Sequence, residues 1–157
     1  EVKDRERVFL LSSTHGAEMG SLGAFVATVK FVKENKVIDH FWEYGYRLVK
    51  MMNRKAAEHG ISSSFYAGGI ACSPYYVTKD DSGLNSLKLR TLFSQEMINN
   101  GVLMPWIALS FRHSELEFAM TEKAIDATFN VYARALEEGV EKYLIGPAIK
   151  PVFRKYN

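Results

Sequence analysis

The chain predicts an α/β arrangement that carries an α+β small domain. Three observations support this. Extended and helical segments alternate without linkers, repeats or low-complexity tracts. From about residue 61 to 145 the order reads strand, helix, strand, helix, a pattern suited to helices on one face of a small sheet. Ahead of it stand one strand and two helices, and that strand, VFLLSS, is apolar on both sides, as an inner strand of a bigger sheet would be.

Each element has its own signal. After VFLLSS, the segment from about Ala17 to Val32 places alanine, glycine and apolar residues on most faces, which predicts a helix packed on several sides and set deep. The next helix carries Ile38, Phe41, Trp42, Gly45, Leu48, Val49, Met52 and Ala56 on one stripe, with Asp39, Glu43, Arg47, Lys50 and Arg54 away from it. Gly60 is placed to end it. In SSSFYAGGIACSPYYVTKDDSG, the FYAGGIA and PYYVT portions read as strand separated or bent by small residues.

A helix from about Asn85 to Asn100 follows, with Leu89, Leu92, Phe93, Met97 and Ile98 inward and Asn100-Gly101 as its stop. VLMPWIALSF predicts the next strand, with Pro105 marking an edge or an irregular start. The last helix opens at Ser114, where Ser-Glu-Leu-Glu supplies the serine and the Glu117 of a capping box. Its stripe runs through Phe118, Ile125, Phe129, Tyr132, Leu136 and Val140. The tail GPAIKPVFRKYN, with two prolines, reads as chain draped over a surface.

Composition limits the function classes. A length of 157 residues suits one domain, and 47% apolar with 13% aromatic content fits a packed protein. A net charge of +2 gives no reason to expect nucleic acid or acidic lipid as a partner. The single Cys72 excludes an internal disulfide and a multi-cysteine zinc site, and leans toward a reducing compartment. No apolar run approaches the ~20 residues a bilayer demands, and the charged start EVKDRER does not read as a secretion signal, so the expected setting is the cytoplasm. Because EVKDRER leads straight into a strand with no initiating methionine, the chain reads as beginning partway through something larger.

Few residues suggest chemistry. The histidines at 15, 40, 59 and 113 have unrelated spacings and no Gly-x-Ser-x-Gly elbow is present, which argues against a nucleophilic triad. His40 and His59 are expected to be solvated, and His113, just ahead of a helix cap, to be structural. Nothing cationic flanks Cys72, which reads as a buried small hydrophobe. Gly68-Gly69 is too short for a phosphate loop and reads as a strand bend, and no His/Asp/Glu cluster has metal-ligand spacing. The Ser12-Ser13-Thr14-His15-Gly16 turn is the exception. It feeds a helix and offers hydroxyls together with unpaired backbone N–H groups, which can cap the helix or seat an anion, and on chemistry alone both readings stand.

The run from VFLLSSTHGAE through GVLMPWIALSFRHSELEFAMTEKAIDA to GPAIKPVFRKYN resembles the C-terminal part of class III aminotransferases, in particular glutamate-1-semialdehyde 2,1-aminomutase and its relatives. The matching features are the threonine-led turn before a small-residue helix, the long helix ending AAEHG, the NNGVLMP entry and the run through His113 into the final helix, and their order and spacing extend over essentially the whole chain. The resemblance implies the C-terminal portion of a fold type I, pyridoxal 5'-phosphate-dependent transferase. Residues 1–60 would then be the end of the large domain with a connecting helix, and 61–157 the small C-terminal α+β domain.

It implies further that Thr14, with Ser13 beside it, reaches the phosphate of pyridoxal 5'-phosphate or pyridoxamine 5'-phosphate in the neighbouring subunit of a homodimer. The lysine that binds the cofactor covalently and the aspartate at its ring nitrogen would lie in an N-terminal catalytic portion, and the substrate would be a small amino or keto compound. The chain departs from the pattern in two places. His15-Gly16-Ala17-Glu18-Met19 replaces the Ser-Gly-Asn-Pro run of common relatives, so the substrate need not be glutamate semialdehyde, and VLMPWIALSF has no arginine for an α-carboxylate before Arg112. None of Lys30, Lys33, Lys79, Lys88, Lys150 and Lys155 has a context that recommends it for imine formation. The rival expectation is a non-catalytic α+β interaction domain derived from that fold.

Overall fold

The computed structural model describes residues 18–150. The expected strand VFLLSS, Ser13, Thr14 and the end of the tail lie outside the described residues. The elements are α1 (Met19–Glu34), α2 (Val37–Glu58), β1 (Phe65–Ile70), β2 (Ser73–Thr78), α3 (Leu87–Asn99), α4 (Glu115–Glu138) and a short 3-10 turn, Val140–Lys142. The chain divides into two compact units, one up to Val37 and one from Ile38 onward. No helix among the described residues is long and apolar enough to cross a membrane.

Taken by itself, α1 corrects the expectation of a deeply set helix: none of its residues is buried, and Met19, Phe25 and Val26 are 80%, 66% and 65% exposed. Its apolar residues are spread around the axis instead of being gathered on one stripe, a pattern that marks a helix as fit for burial without supplying anything to bury it.

From Ile38 onward the fold is α+β, built on one antiparallel hairpin and the helices around it. α2 ends as Gly60 suggests. Gly60 takes φ +71°, its N–H donates to Ala57 O at 3.1 Å, and the Ile61 N–H donates to Ala56 O at 2.9 Å. This is a Schellman closure, in which a glycine in the left-handed region lets the next residue turn back on the helix. Ile61 and Ala56 are both buried there. The stripe of α2 is only partly inward: Leu48, Met52 and Ala56 are buried, while Ile38 and Trp42 are half exposed.

β1 and β2 pair from Phe65↔Thr78 to Ile70↔Ser73 across a two-residue turn, Ala71-Cys72. Lys79 N–H donates to Ser64 O at 2.8 Å, so Phe65, Ala67 and Gly69 of β1 belong to the wide pairs and turn their backbone groups outward. α2 occupies that edge. The Asn53 amide donates to Ala67 O and accepts from Ala67 N–H, both at 2.8 Å, in the place a third strand would fill. One turn further along the hairpin, Ala71 O lies so near the α2 backbone that a Cβ on Gly45 would sit 1.8 Å from it. On the opposite edge, the wide pair Gly69↔Pro74 leaves the proline nitrogen facing outward.

The inner face of the hairpin meets α3 and α4 in an aromatic cluster. Phe65 lies 4.7 Å from Phe129 and 5.1 Å from Phe93 between ring centroids, and Tyr76 lies 4.7 Å from Phe93. Edge-on and offset contacts of this kind add ~0.5–1.5 kcal/mol each to the area they bury. The hydroxyl of fully buried Tyr132 donates to Ser64 O at 3.1 Å, and burial pushes its ionisation well above that of an ordinary tyrosine.

In α3, Leu89, Leu92, Phe93 and Met97 are buried as expected, whereas Ile98 is half exposed. The helix stops at Asn100-Gly101 in a second Schellman closure, with Gly101 N–H on Ile98 O and Val102 N–H on Met97 O, both at 2.9 Å. α4 opens in the expected capping box of Ser114 and Glu117.

The segment VLMPWIALSF corrects another expectation: it is irregular chain with a bend at Pro105-Trp106 and joins no ladder. Two of its carbonyls are taken by side chains instead. The Tyr76 hydroxyl lies 3.1 and 3.0 Å from Met104 O and Pro105 O, and Arg90 donates to Pro105 O at 2.8 Å. Pro105 has no N–H to give a ladder, and these donors pair its carbonyl and that of Met104 without one. Residues 61 to 145 therefore run hairpin, helix, extended chain, helix.

Gly45→Ala is expected to lower stability in urea unfolding by about 3 kcal/mol, because the new methyl overlaps a backbone carbonyl that cannot rotate away. Gly23→Ala, with nothing within 4 Å of the added carbon, is expected to be tolerated. Asn53→Ala is expected to cost about 2 kcal/mol by leaving an N–H and a C=O of β1 unpaired. Asn53→Asp is expected not to restore it, since a carboxylate repels Ala67 O.

Candidate functional site

After the Schellman turn at Gly101 the chain runs between α2 and α4 and borders a half-open pocket of about 280 Å³. Its apolar wall comes mainly from Leu103, Met104, Trp106, Ile107, Leu109 and Met120. Tyr44, His113, Glu117 and Thr121 bring polar groups to it.

Local structure sets the state of each polar group. His113 Nδ1 accepts the Ser110 N–H at 3.3 Å, which fixes the ring against the turn that precedes α4. Glu117 Oε2 accepts the Ser114 N–H at 2.7 Å and the Ser114 hydroxyl at 2.5 Å, and these bonds hold its carboxyl below the usual carboxylate range. Tyr44 is buried with its ring 5.6 Å from His113 and 5.5 Å from Phe118, and burial, followed by the Glu117 charge, pushes its hydroxyl up. Nearby Arg47 is committed elsewhere. Its guanidinium forks onto Glu115 through two 2.6 Å bonds and lies 4.6 Å over the Phe118 ring. Among the described residues, Glu117 has no basic side chain in an ion pair with it.

Ser13 and Thr14, the residues expected to meet a cofactor phosphate, lie outside the described residues. The cavity cannot stand in for that seat, because an ionised carboxylate in its wall repels phosphate. The ion-paired lysines do not suit imine formation either. Lys30 is exposed 3.9 Å from Glu34, and Lys88 pairs with Glu141. Lys55, which sequence reading did not single out, is the most shielded of the ion-paired lysines at 16% exposure. It bonds Asp126 at 2.8 Å and Glu58 at 3.0 Å, and these partners raise its pKa. An imine-forming lysine requires the opposite.

Two histidines differ from expectation. His59 is not solvated: it is 20% exposed and lies 3.1 Å from Asp126 Oδ1. His40 is packed against Phe111, Tyr44 and Phe41, with Nε2 buried and without a partner. Both sit where α2 faces other elements, information that helix position alone does not carry. Cys72 is half-buried in the hairpin turn, not in the core. Among the described residues no group of three or more His, Cys, Asp or Glu side chains is arranged to hold a metal ion.

The α2–α4 ion pairs predict a pH dependence. Lys55 and then His59 hold Asp126 below its ordinary value, and Arg47 does the same to Glu115. A carboxyl lowered on folding contributes stability that is complete above its unfolded pKa, near ~4, and is lost as pH falls through the lower folded value. Urea unfolding across an acid pH series should therefore show stability falling below about pH 4. Asp126→Asn should flatten that limb and also remove the stability that the raised Lys55 loses at strongly alkaline pH, and added salt should shrink both differences.

No family model, curated protein or solved structure matches this chain.

Proposed function

We propose that this chain is the C-terminal segment of a pyridoxal-phosphate-dependent aminotransferase or aminomutase of the glutamate-1-semialdehyde type. Ser13 and Thr14 would hydrogen-bond the cofactor phosphate, and the residues after them would contribute dimer contacts and shield the site from water. When bound, pyridoxal phosphate supplies an electron sink for amino-group chemistry. The covalent lysine belongs to an N-terminal portion, in keeping with the ion-paired state of Lys30, Lys55 and Lys88.

The observation that supports this reading is α1. It leaves the large apolar side chains of Met19, Phe25 and Val26 exposed, as does an element whose packing partner is another stretch of polypeptide. The order of motifs from Thr14 to Ser114 supports it as well. A second reading, a non-catalytic interaction domain, draws on the unit from Ile38 onward, which has an aromatic core of its own.

The test is to express the gene with all coding sequence in frame upstream, record the intact mass, and measure the cofactor's visible absorbance before and after borohydride. The expected result is a longer, dimeric protein with a reducible chromophore. Thr14→Val in that protein should weaken cofactor binding about tenfold, the loss of one hydrogen bond to a charged group. A monomer that begins with these residues and leaves the cofactor's absorbance unchanged would replace this reading with the interaction domain.

A further inference from the structure

We propose that Asn100-Gly101 is a self-modification site gated by the last turn of α3: the asparagine deamidates through a cyclic imide only while that turn is open, and the product reshapes the border of the pocket. This does not rest on the cofactor reading, since the reaction needs only this dipeptide and water.

The chemistry follows from the residue pair. The backbone nitrogen of Gly101 attacks Cγ of Asn100, the bond from Cγ to the side-chain nitrogen breaks, and that nitrogen leaves as ammonia after taking up the proton of the attacking N–H. Water then opens the imide at either carbonyl, giving aspartate or, where the main chain now runs through Cγ, isoaspartate. No oxidant or reductant is involved. Glycine admits the approach because no Cβ stands beside its nitrogen. Both residues are exposed, so water reaches the imide.

The closed turn keeps the reacting atoms apart. The Asn100 side-chain amide donates to Glu96 O at 2.8 Å, which draws Cγ back along α3, and the Gly101 N–H is engaged with Ile98 O at 2.9 Å. At a ψ of 15°, Gly101 N nearly eclipses the Asn100 nitrogen instead of its Cβ, so ring closure requires a large rotation about the Asn100 Cα–C bond. That rotation also takes Val102 N–H off Met97 O. The turn and the reaction therefore exclude each other, and exposed helix ends open locally without global unfolding.

The product cannot rebuild the same turn. Aspartate sets a carboxylate where an amide donated, against Glu96 O at the negative end of α3. Isoaspartate lengthens the main chain by a carbon atom, and the Gly101 and Val102 N–H groups lose their register with Ile98 O and Met97 O. Gly101, Val102, Leu103 and Met104 border the pocket, so its edge moves with them.

The test incubates the intact chain at neutral pH, folded and urea-unfolded, and follows the mass gain of amide-to-carboxyl exchange, placed by peptide fragmentation that separates aspartyl from isoaspartyl products. Asn100 should react in both states, at least ~10-fold more slowly in the folded one, where only the open fraction reacts. Urea below the unfolding transition should leave the folded-state rate nearly unchanged, because a local opening exposes little surface. Ile98 is half exposed in the last turn, and Ile98→Gly should react about fivefold faster than Ile98→Ala, the ratio set by their helix propensities. In unfolded chains the two variants should react alike. Asn100→Gln, with an unchanged circular dichroism spectrum, should lose the mass gain at this site. In aged folded protein, hydrogen exchange at Gly101 and Val102 should quicken. Equal rates in folded and unfolded chains, no reaction at Asn100 in the folded one, a rate that climbs with urea in step with global unfolding, or Ile98→Gly no faster than Ile98→Ala would overturn the proposal.

Discussion

A two-stranded hairpin has little stability in water, and the unit from Ile38 onward depends on how this one is held against α2. A strand edge exposes backbone groups that must be paired, and a helix has no ladder to offer. Asn53 resolves the mismatch, since its side-chain amide reproduces the donor and acceptor of a peptide group at Ala67. Gly45 resolves the steric half of the problem by letting the turn carbonyl of Ala71 approach the helix where any side chain would stand. With the hairpin fixed in this way, Phe65 and Tyr76 face α3 and α4, and the aromatic core assembles from elements far apart in sequence.

The same placement determines the cavity. Tyr76 and Arg90 hold the Met104 and Pro105 carbonyls, which fixes the bend in the irregular chain after Gly101. His113 and Glu117 then arrive at the cavity as by-products of starting α4: one accepts the turn that precedes the helix, the other completes its cap. Both side chains are held in one orientation by these bonds.

Helix ends were the most legible features in the sequence. Gly60, Gly101 and the Ser114–Glu117 pair each specify a local hydrogen-bond pattern that needs no tertiary partner to be recognised, and the buried residues of α3 and the middle of α4 followed from periodicity. The illegible features all depend on what lies across from a residue. An apolar run such as VLMPWIALSF reads alike whether a neighbouring strand or side-chain donors satisfy its backbone. The small-residue pattern of α1 could not reveal that its surface stays uncovered. His40 and His59 looked solvent-facing because the aromatic rings and the Asp126 carboxylate that surround them come from other elements. Of the site, only Glu117 and His113 were noticed, and both for structural reasons. Asn53, between a helix stripe and its polar face, gave no sign of its role.

Pro74 carries one more consequence. With α2 closing one margin of the hairpin, the other margin is where a foreign strand could add, and there the imino nitrogen has no proton to donate to it. Together with the Ser86 N–H on Thr78 O at the far end of the same margin, this removes bonds that an added strand would make, by covalent geometry that neither pH nor salt alters.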